Sequence, residues 1–434
     1  MTKEELQSVL KIQPEYIHAG KDIGLEGFDF FVDCKSYGEL VAIDNFEKLD
    51  NLKCSVRFDN CKFSNTISGQ NKTYQHAFLF QNCEFHNVVK LNHCYFEKEI
   101  GFRECVFVER VTFGDSVIKK NIIFNNCRFQ YGAVFVRTKF MEASSFVRSI
   151  FEDNATFYGA EFNRPVSFNQ AIFKSETSFV NVAMDFDFSD LKNIVIEMAN
   201  LAAADKKIMA NDYRDSFRLI KNNLLKNNNT LDASQYHKME LYCKEIELES
   251  KEQKRPSDWL EKWQLWFYRK TSDHHTDLLK IIAWVLVWVG LCGLALFAYR
   301  YGGRLPLQPK SGSLLGVFQK SYGWFYEFLS THHVGYVALF LLLGFLLASL
   351  LLRFVGRGLL CARYCKYLSF TLGTVYSLCV AIQNPKYILG VANFTTLADS
   401  DWVENIILLF YTIGMILLLF SLQKTARKNT IIPS

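Results

Sequence analysis

The chain lacks most of the signatures that carry chemistry. Its 434 residues hold no phosphate-cradling glycine loop, no nucleophile motif and no paired-cysteine metal site. Those absences argue against the common nucleotide-dependent, acyl-transfer and zinc-dependent classes. A dominant charge is lacking too, since 49 Lys and Arg against 44 Asp and Glu leave a net +5. Within residues 51–190 the balance is closer still, 16 bases to 15 acids. A protein that binds nucleic acid normally shows a basic footprint, so no nucleic-acid partner is expected. The opening MTKEELQSVLK has no apolar core of the kind a secretion signal carries. The reading at this point is of a non-enzymatic chain with no catalytic residue, no metal and no cofactor.

What the chain does have is a repeat of eleven residues. One column reads Phe80, Leu91, Phe102, Phe113, Phe124, Phe135, Phe146, Phe157, Phe168, Phe179. A second, five residues later, reads Phe85, Phe96, Phe107, Ile118, Phe129, Phe140, Phe151, Phe162, Phe173, Met184. Seventeen of these twenty positions are Phe, and a fixed short period means a solenoid or array. On a helix, steps of five and six residues turn by about 140° and 240°, so the two columns would not share a stripe. The repeats are also rich in Asn, Cys, Val, Ile and Thr, which are mediocre helix formers. Strands fit better. Two residues before the second column stand Cys83, Cys94, Cys105, Ser116, Cys127, Thr138, Ser149, Ala160 and Ala171. In a strand, i−2 and i share a face, so each Phe points inward beside a small residue.

These residues resemble the pentapeptide-repeat family, in which a large apolar residue at the centre of each five-residue unit follows a small one two positions earlier. The alternating five-plus-six spacing departs from strict fives and predicts a bulge in each unit. The resemblance implies a right-handed quadrilateral β-solenoid with two units, about 22 residues, per coil. Phe58, Phe63 and Tyr74 fall on the same lattice, with Gly69 as a lapse, so a degenerate leading coil is expected. Some members of the family mimic DNA through shape and negative charge; a neutral solenoid lacks that disguise. The phased cysteines read as small buried side chains in a reducing compartment rather than disulfides.

The expected domains are an N-terminal cap region (1–50), the solenoid (51–195), a helical hairpin connector (196–255), an amphipathic interfacial helix (256–272) and a membrane domain (273–434). In the connector, helix-forming segments flank the turn KNNNTLD, where Thr230 or Asp232 is available as a cap. The hairpin would cover the open end of the solenoid, since a bare β-edge invites aggregation. In DWLEKWQLWFYRK, Trp259, Trp263 and Trp266 recur at helical spacing and form a membrane anchor at the interface. Four uncharged runs follow, at 281–299, 334–352, 367–385 and 405–423, the third either a full span or a re-entrant element. Arg353, Arg357, Arg363 and Lys366, with Lys424, Arg427 and Lys428 in the tail, place those flanks, and the solenoid with them, in the cytoplasm. This organisation resembles bacterial membrane-bound pentapeptide-repeat proteins and implies an inner-membrane location.

Few residues tempt as a site. His274-His275, between Asp273 and Asp277, read as interfacial polar residues, and Cys361 and Cys365 as inert. Before the last span, Thr396, Asp399, Asp401 and Glu404 would form an acidic pore mouth if several chains assembled. A potassium filter needs glycines where Ala398 and Ser400 stand. Two readings of function remain. One is a membrane-held scaffold for a cytoplasmic protein partner or for self-assembly as a homo-oligomer. The other is an oligomeric, cation-preferring pore.

Overall fold

The computed structural model describes residues 1–23, 27–36, 39–43, 49–201, 205–251, 255–301 and 402–429. The chain divides into two compact units, Met1–Leu265 and Trp266–Ser434.

In the first unit the backbone coils through short parallel strands for about six turns. Each coil takes 22 residues, because Phe80 pairs in register with Phe102, Phe85 with Phe107, Val89 with Val111 and Tyr95 with Val117. The four strands of one coil are Phe78–Gln81, Glu84–Phe85, Val89–Asn92 and Tyr95–Phe96. Their successors stack into four sheets, I to IV in that order, with seven, eight, six and five strands among the described residues. Side chains alternate in and out along each strand, so the apolar columns meet inside.

The two sequence columns become four stacks. Phe58, Phe80, Phe102, Phe124, Phe146 and Phe168 lie on sheet I, with successive rings 4.9–5.2 Å apart and nearly parallel. Phe63, Phe85, Phe107, Phe129, Phe151 and Phe173 form the stack of sheet II, at 4.5–5.0 Å. Leu91, Phe113, Phe135, Phe157 and Phe179 line sheet III, and Tyr74, Phe96, Ile118, Phe140 and Phe162 line sheet IV. Neighbouring stacks meet edge to face, as between Phe80 and Phe85 at 5.4 Å, the arrangement that aromatic quadrupoles favour. All seventeen repeat phenylalanines are buried except Phe173 in the last coil, which is half-buried.

The lapse at Gly69 has a packing cause. A methyl group there would overlap the hydroxyl of Tyr74, which fills the missing volume from sheet IV. Gly69→Ala should therefore cost about 1–3 kcal/mol as an overpacked core, and adding Tyr74→Phe should recover most of it. Chemical denaturation of the two variants checks this.

Both ends of the stack are capped. At the start, helix α1 (Lys3–Leu10) buries Leu6 and Leu10. The strand Ile17–Ala19 then pairs antiparallel with Phe30–Asp33, which itself runs parallel to Val56–Asp59. Parallel pairing thus begins earlier than residue 51, in a segment whose strands lack the Phe columns. At the far end, helix α2 (Phe188–Leu201) starts inside the stretch expected to be solenoid, with the Asp187 carboxylate accepting from the Asp190 amide at 2.8 Å. Helices α3 (Lys206–Lys226) and α4 (Thr230–Ser250) follow as a hairpin. Its turn is capped by Asn229, one residue before Thr230 and three before Asp232, the two positions expected from the sequence. The Ser216 hydroxyl accepts from the Phe168 amide at 2.8 Å, and the Tyr236 hydroxyl donates to the Val182 carbonyl at 3.1 Å. These bonds satisfy backbone groups that the last coil would otherwise leave open. Helix α5 (Pro256–Ser272) crosses from the first unit into the second.

In the second unit, helices α6 (Leu278–Tyr301) and α7 (Trp402–Asn429) contain the expected spans 281–299 and 405–423. They pack through Val289, Cys292, Leu408, Tyr411 and Met415. Gly414 leaves room for the Trp288 ring, whose Nε1 donates to the Tyr411 carbonyl at 3.0 Å. The expected spans 334–352 and 367–385 lie outside the described residues.

Candidate interaction faces and membrane segment

Every eleven-residue unit turns a corner through one left-handed residue. Asn60, Asn71, Asn82, His93, Glu104, Asp115, Asn126, Arg137, Arg148, Gly159, Gln170 and Asn181 all have φ between 52° and 64°. This is the extra residue of the five-plus-six spacing. Asn, Asp and Gly, which tolerate that conformation best, hold seven of the twelve places.

The small residue after each corner does more than save space. Ser116 and Thr138 donate their hydroxyls at 2.8 Å to the carbonyls of Leu91 and Phe113 in the coil before. Cys83, Cys105 and Cys127 place their thiols 3.3–3.5 Å from the carbonyls of Phe58, Phe80 and Phe102 in the same way. Cys, Ser and Thr interchange here because each is a small donor, a reason the sequence reading did not find. Burial pushes the thiols of Cys83 and Cys105 well above their usual range, so they stay neutral and unreactive. The nine cysteines of the described residues are free and buried.

Outward-pointing residues differ by face. Sheet II carries Arg128 and Lys174 bound to Glu152 at 3.1 and 2.7 Å. Sheet IV carries the Lys139–Glu161 pair at 2.9 Å and Lys119 over the Tyr95 ring at 4.9 Å. At the corner between sheets III and IV, Arg137 grips Asp115 at 2.6 and 2.8 Å and holds that carboxyl below the usual range. Exposed pairs like these contribute little stability, typically 0.2–1 kcal/mol, and their effect is to set the charge pattern a partner would meet. Sheets I and III, on opposite sides of the coil, are largely uncharged over their later turns.

Among the described residues, none of the residues singled out in the sequence comes together in a catalytic or metal cluster. Among the described residues no group of three or more His, Cys, Asp or Glu could hold a metal. His274 and His275 are buried in a turn where Asp273, His274 and His275 all have positive φ. The His275 Nδ1 lies 3.0 Å from the Ser421 hydroxyl of α7, a tie between helices. Thr396, Asp399 and Asp401 lie outside the described residues, and Glu404 falls in the first turn of α7. Trp259, Trp263 and Trp266 stand exposed on one side of α5, Trp259 to 64%. Ile406–Ala426 of α7 is long and apolar enough to cross a membrane.

The coil, its inward Phe stacks and its small donors define a parallel β-solenoid. A family model described as pentapeptide repeats in nine copies matches residues 80–128, so this is a pentapeptide-repeat solenoid, and the same coil continues in register to Ser178. Neither the curated proteins nor the solved structures gave a match to the chain.

Proposed function

We propose that the protein is a non-enzymatic scaffold, held at a membrane by its C-terminal helices and presenting the faces of its solenoid to a protein partner or to further copies of itself. The observation that carries the membrane half is the surface of the α6–α7 pair. Leu279, Ile282, Val287, Leu291, Leu409, Phe410, Ile413, Ile416 and Phe420 are all exposed large apolar side chains, Leu279 to 80% and Phe410 to 66%. Water would penalise such a surface, whereas hydrocarbon would not. Trp259, Trp263 and Trp266 would anchor α5 at the headgroup level, where indoles sit well. The scaffold half is supported by the regular polar faces of a four-sheeted coil.

On this reading the solenoid lies in the cytoplasm, supported by the basic links after the second and last spans, and the membrane is a bacterial inner membrane, supported by the resemblance to bacterial membrane-bound pentapeptide-repeat proteins. Alkaline carbonate extraction tests the tether: the full chain should stay in the membrane pellet, and release into the supernatant would refute it. A cysteine placed at exposed Glu99 should then react with an impermeant maleimide only after the membrane is opened. Labelling in intact cells would place the solenoid on the other side.

A further inference from the structure

We infer that the last strand of sheet II is a docking edge, to which an extended segment of a partner protein adds as one more strand of the solenoid. The inference rests on the partner-binding half of the scaffold reading and puts the contact on one edge rather than on the faces.

The hairpin caps the last coil unevenly. Where the stacks end, Phe168 of sheet I, Phe179 of sheet III and Met184 of sheet IV are no more than 5% exposed. Phe173, the last ring of sheet II, is only half-buried, and Ile172 beside it is 50% exposed. The cause is the path of the helices. In α3, Ser216 bonds the end of sheet I, while the Asn227 side chain, just past its last residue, donates to the Thr177 carbonyl of sheet III at 3.4 Å. Helix α4 reaches sheet IV through Tyr236. The pair therefore closes over three sheets and passes beside the fourth.

Backbone groups are left at that edge. In sheet II each coil donates two amides to the coil before. Arg128 and Gln130 bond the carbonyls of Cys105 and Phe107, and Ile172 and Lys174 bond those of Ser149 and Phe151, all at 2.9 Å. The next acceptors in this series are Ala171 and Phe173, and among the described residues no group bonds either carbonyl. The Phe173 amide between them points the same way, as a parallel ladder requires. One face of the Phe173 ring stacks on Phe151 at 4.5 Å, and the other is turned to where a further coil would lie.

An extended peptide matches this edge. Its amides on one side recur every second residue, about 6.8 Å apart, which is the spacing of the two carbonyls. The side chain between those two donors falls on the Phe173 ring, and the donors' own side chains lie along Ile172 and Lys174. Adding a strand in this way is a general mode of peptide recognition. Sheet II is already extended so at its other end. There Glu39–Ile43, a strand outside the Phe columns, pairs parallel with Cys61–Phe63, and Lys35–Ser36 pairs antiparallel with it. A second solenoid meeting this one end to end does not fit, because a helix about 10 Å thick stands beside each edge and would hold the two apart. A slender segment reaches past it.

The probe is a fluorescent peptide copying residues 148–154, RSIFEDN, the sheet II strand of the coil before. Added in register, its copies of Ile150 and Glu152 donate to Ala171 and Phe173, and its copy of Phe151 covers the Phe173 ring. Fluorescence anisotropy with the full chain in detergent micelles, blanked on empty micelles, should show saturable binding. Methylating the amide nitrogens of the Ile150 and Glu152 copies should weaken it about tenfold or more, as two lost backbone bonds require. Methylating the Phe151 copy, whose amide points away, should change it less than about twofold. In the chain, Ile172→Glu should weaken the parent peptide about fivefold with the melting curve unchanged. No saturable binding, equal losses at all methylated positions, or full affinity in Ile172→Glu would each overturn the docking edge. Those results would leave the tether standing, which carbonate extraction decides separately.

Discussion

Phe124→Ala should destabilise the solenoid by about 3–5 kcal/mol, the range of fully buried large-to-small changes at Phe. Phe124 is completely buried and stacks between Phe102 at 4.9 Å and Phe146 at 5.2 Å. The rings of Phe113 and Phe135 meet it edge-on at 5.8 and 5.6 Å. Its neighbours cannot close the gap, because each is fixed to a strand whose position is set by the backbone ladder. The cost should therefore lie at the upper end, where a cavity persists. Phe173 is half-buried in the last coil, so Phe173→Ala should cost only about 1–2 kcal/mol. In a solenoid each coil contacts only its neighbours, so the Phe124 change should also loosen protection locally. Hydrogen exchange of the full chain should show faster exchange across the coils holding Phe102, Phe124 and Phe146 before any change near α1. A loss below about 1 kcal/mol for Phe124→Ala would mean that the columns do not face inward as described.

The repeat was legible because one residue type marks it. Phe recurs so strictly that the inward face and the strand class follow from spacing and composition, while the 22-residue coil followed from the resemblance to pentapeptide repeats. The corners were not legible, since their column mixes Asn, His, Glu, Asp, Arg, Gln and Gly. What those residues share is a backbone angle, not a side-chain chemistry. The strands before residue 51 were missed for the opposite reason: Phe30–Asp33 continues sheet I by backbone register without the repeat's pattern. Helix α2 was missed because MDFDFSDL continues the Phe rhythm up to Phe186 and Phe188, and only the cap at Asp187 shows where the coil ends. The sites were legible to a lesser degree. The sequence marks Trp259, Trp263 and Trp266 as a stripe, and they are exposed as one. The evenness of sheet III cannot be read from any window of sequence, because its residues come from strands 22 residues apart.

Acid should weaken the end cap through a single carboxylate. Glu240 of α4 is buried, and burial alone would raise its pKa. Against that, His237 lies 3.2 Å away, Lys221 donates at 2.7 Å and Arg218 at 2.8 Å. Together they hold the carboxyl at about 2, compared with an ordinary 4.5. A depressed folded-state pKa contributes stability that is fully present above the unfolded value and is lost as pH falls through the folded one. Lowering the pH from about 5 to about 2 should therefore remove on the order of 3 kcal/mol from the α3–α4 hairpin at this residue. Glu240→Gln tests the assignment. The amide cannot neutralise Lys221 and Arg218, so the variant should lose about 2–3 kcal/mol at pH 7, less than for a fully buried pair because Arg218 is half-exposed. It should also show a shallower fall in stability between pH 4.5 and 2 than the parent. Equal slopes for parent and variant across that window would remove Glu240 from the account. The hairpin covers the last coil through Ser216 and Tyr236, so acid should expose the Phe168 amide and the Val182 carbonyl at that end first. Hydrogen exchange at Phe168 should therefore rise with acid, relative to its intrinsic rate, before exchange at Phe102 does.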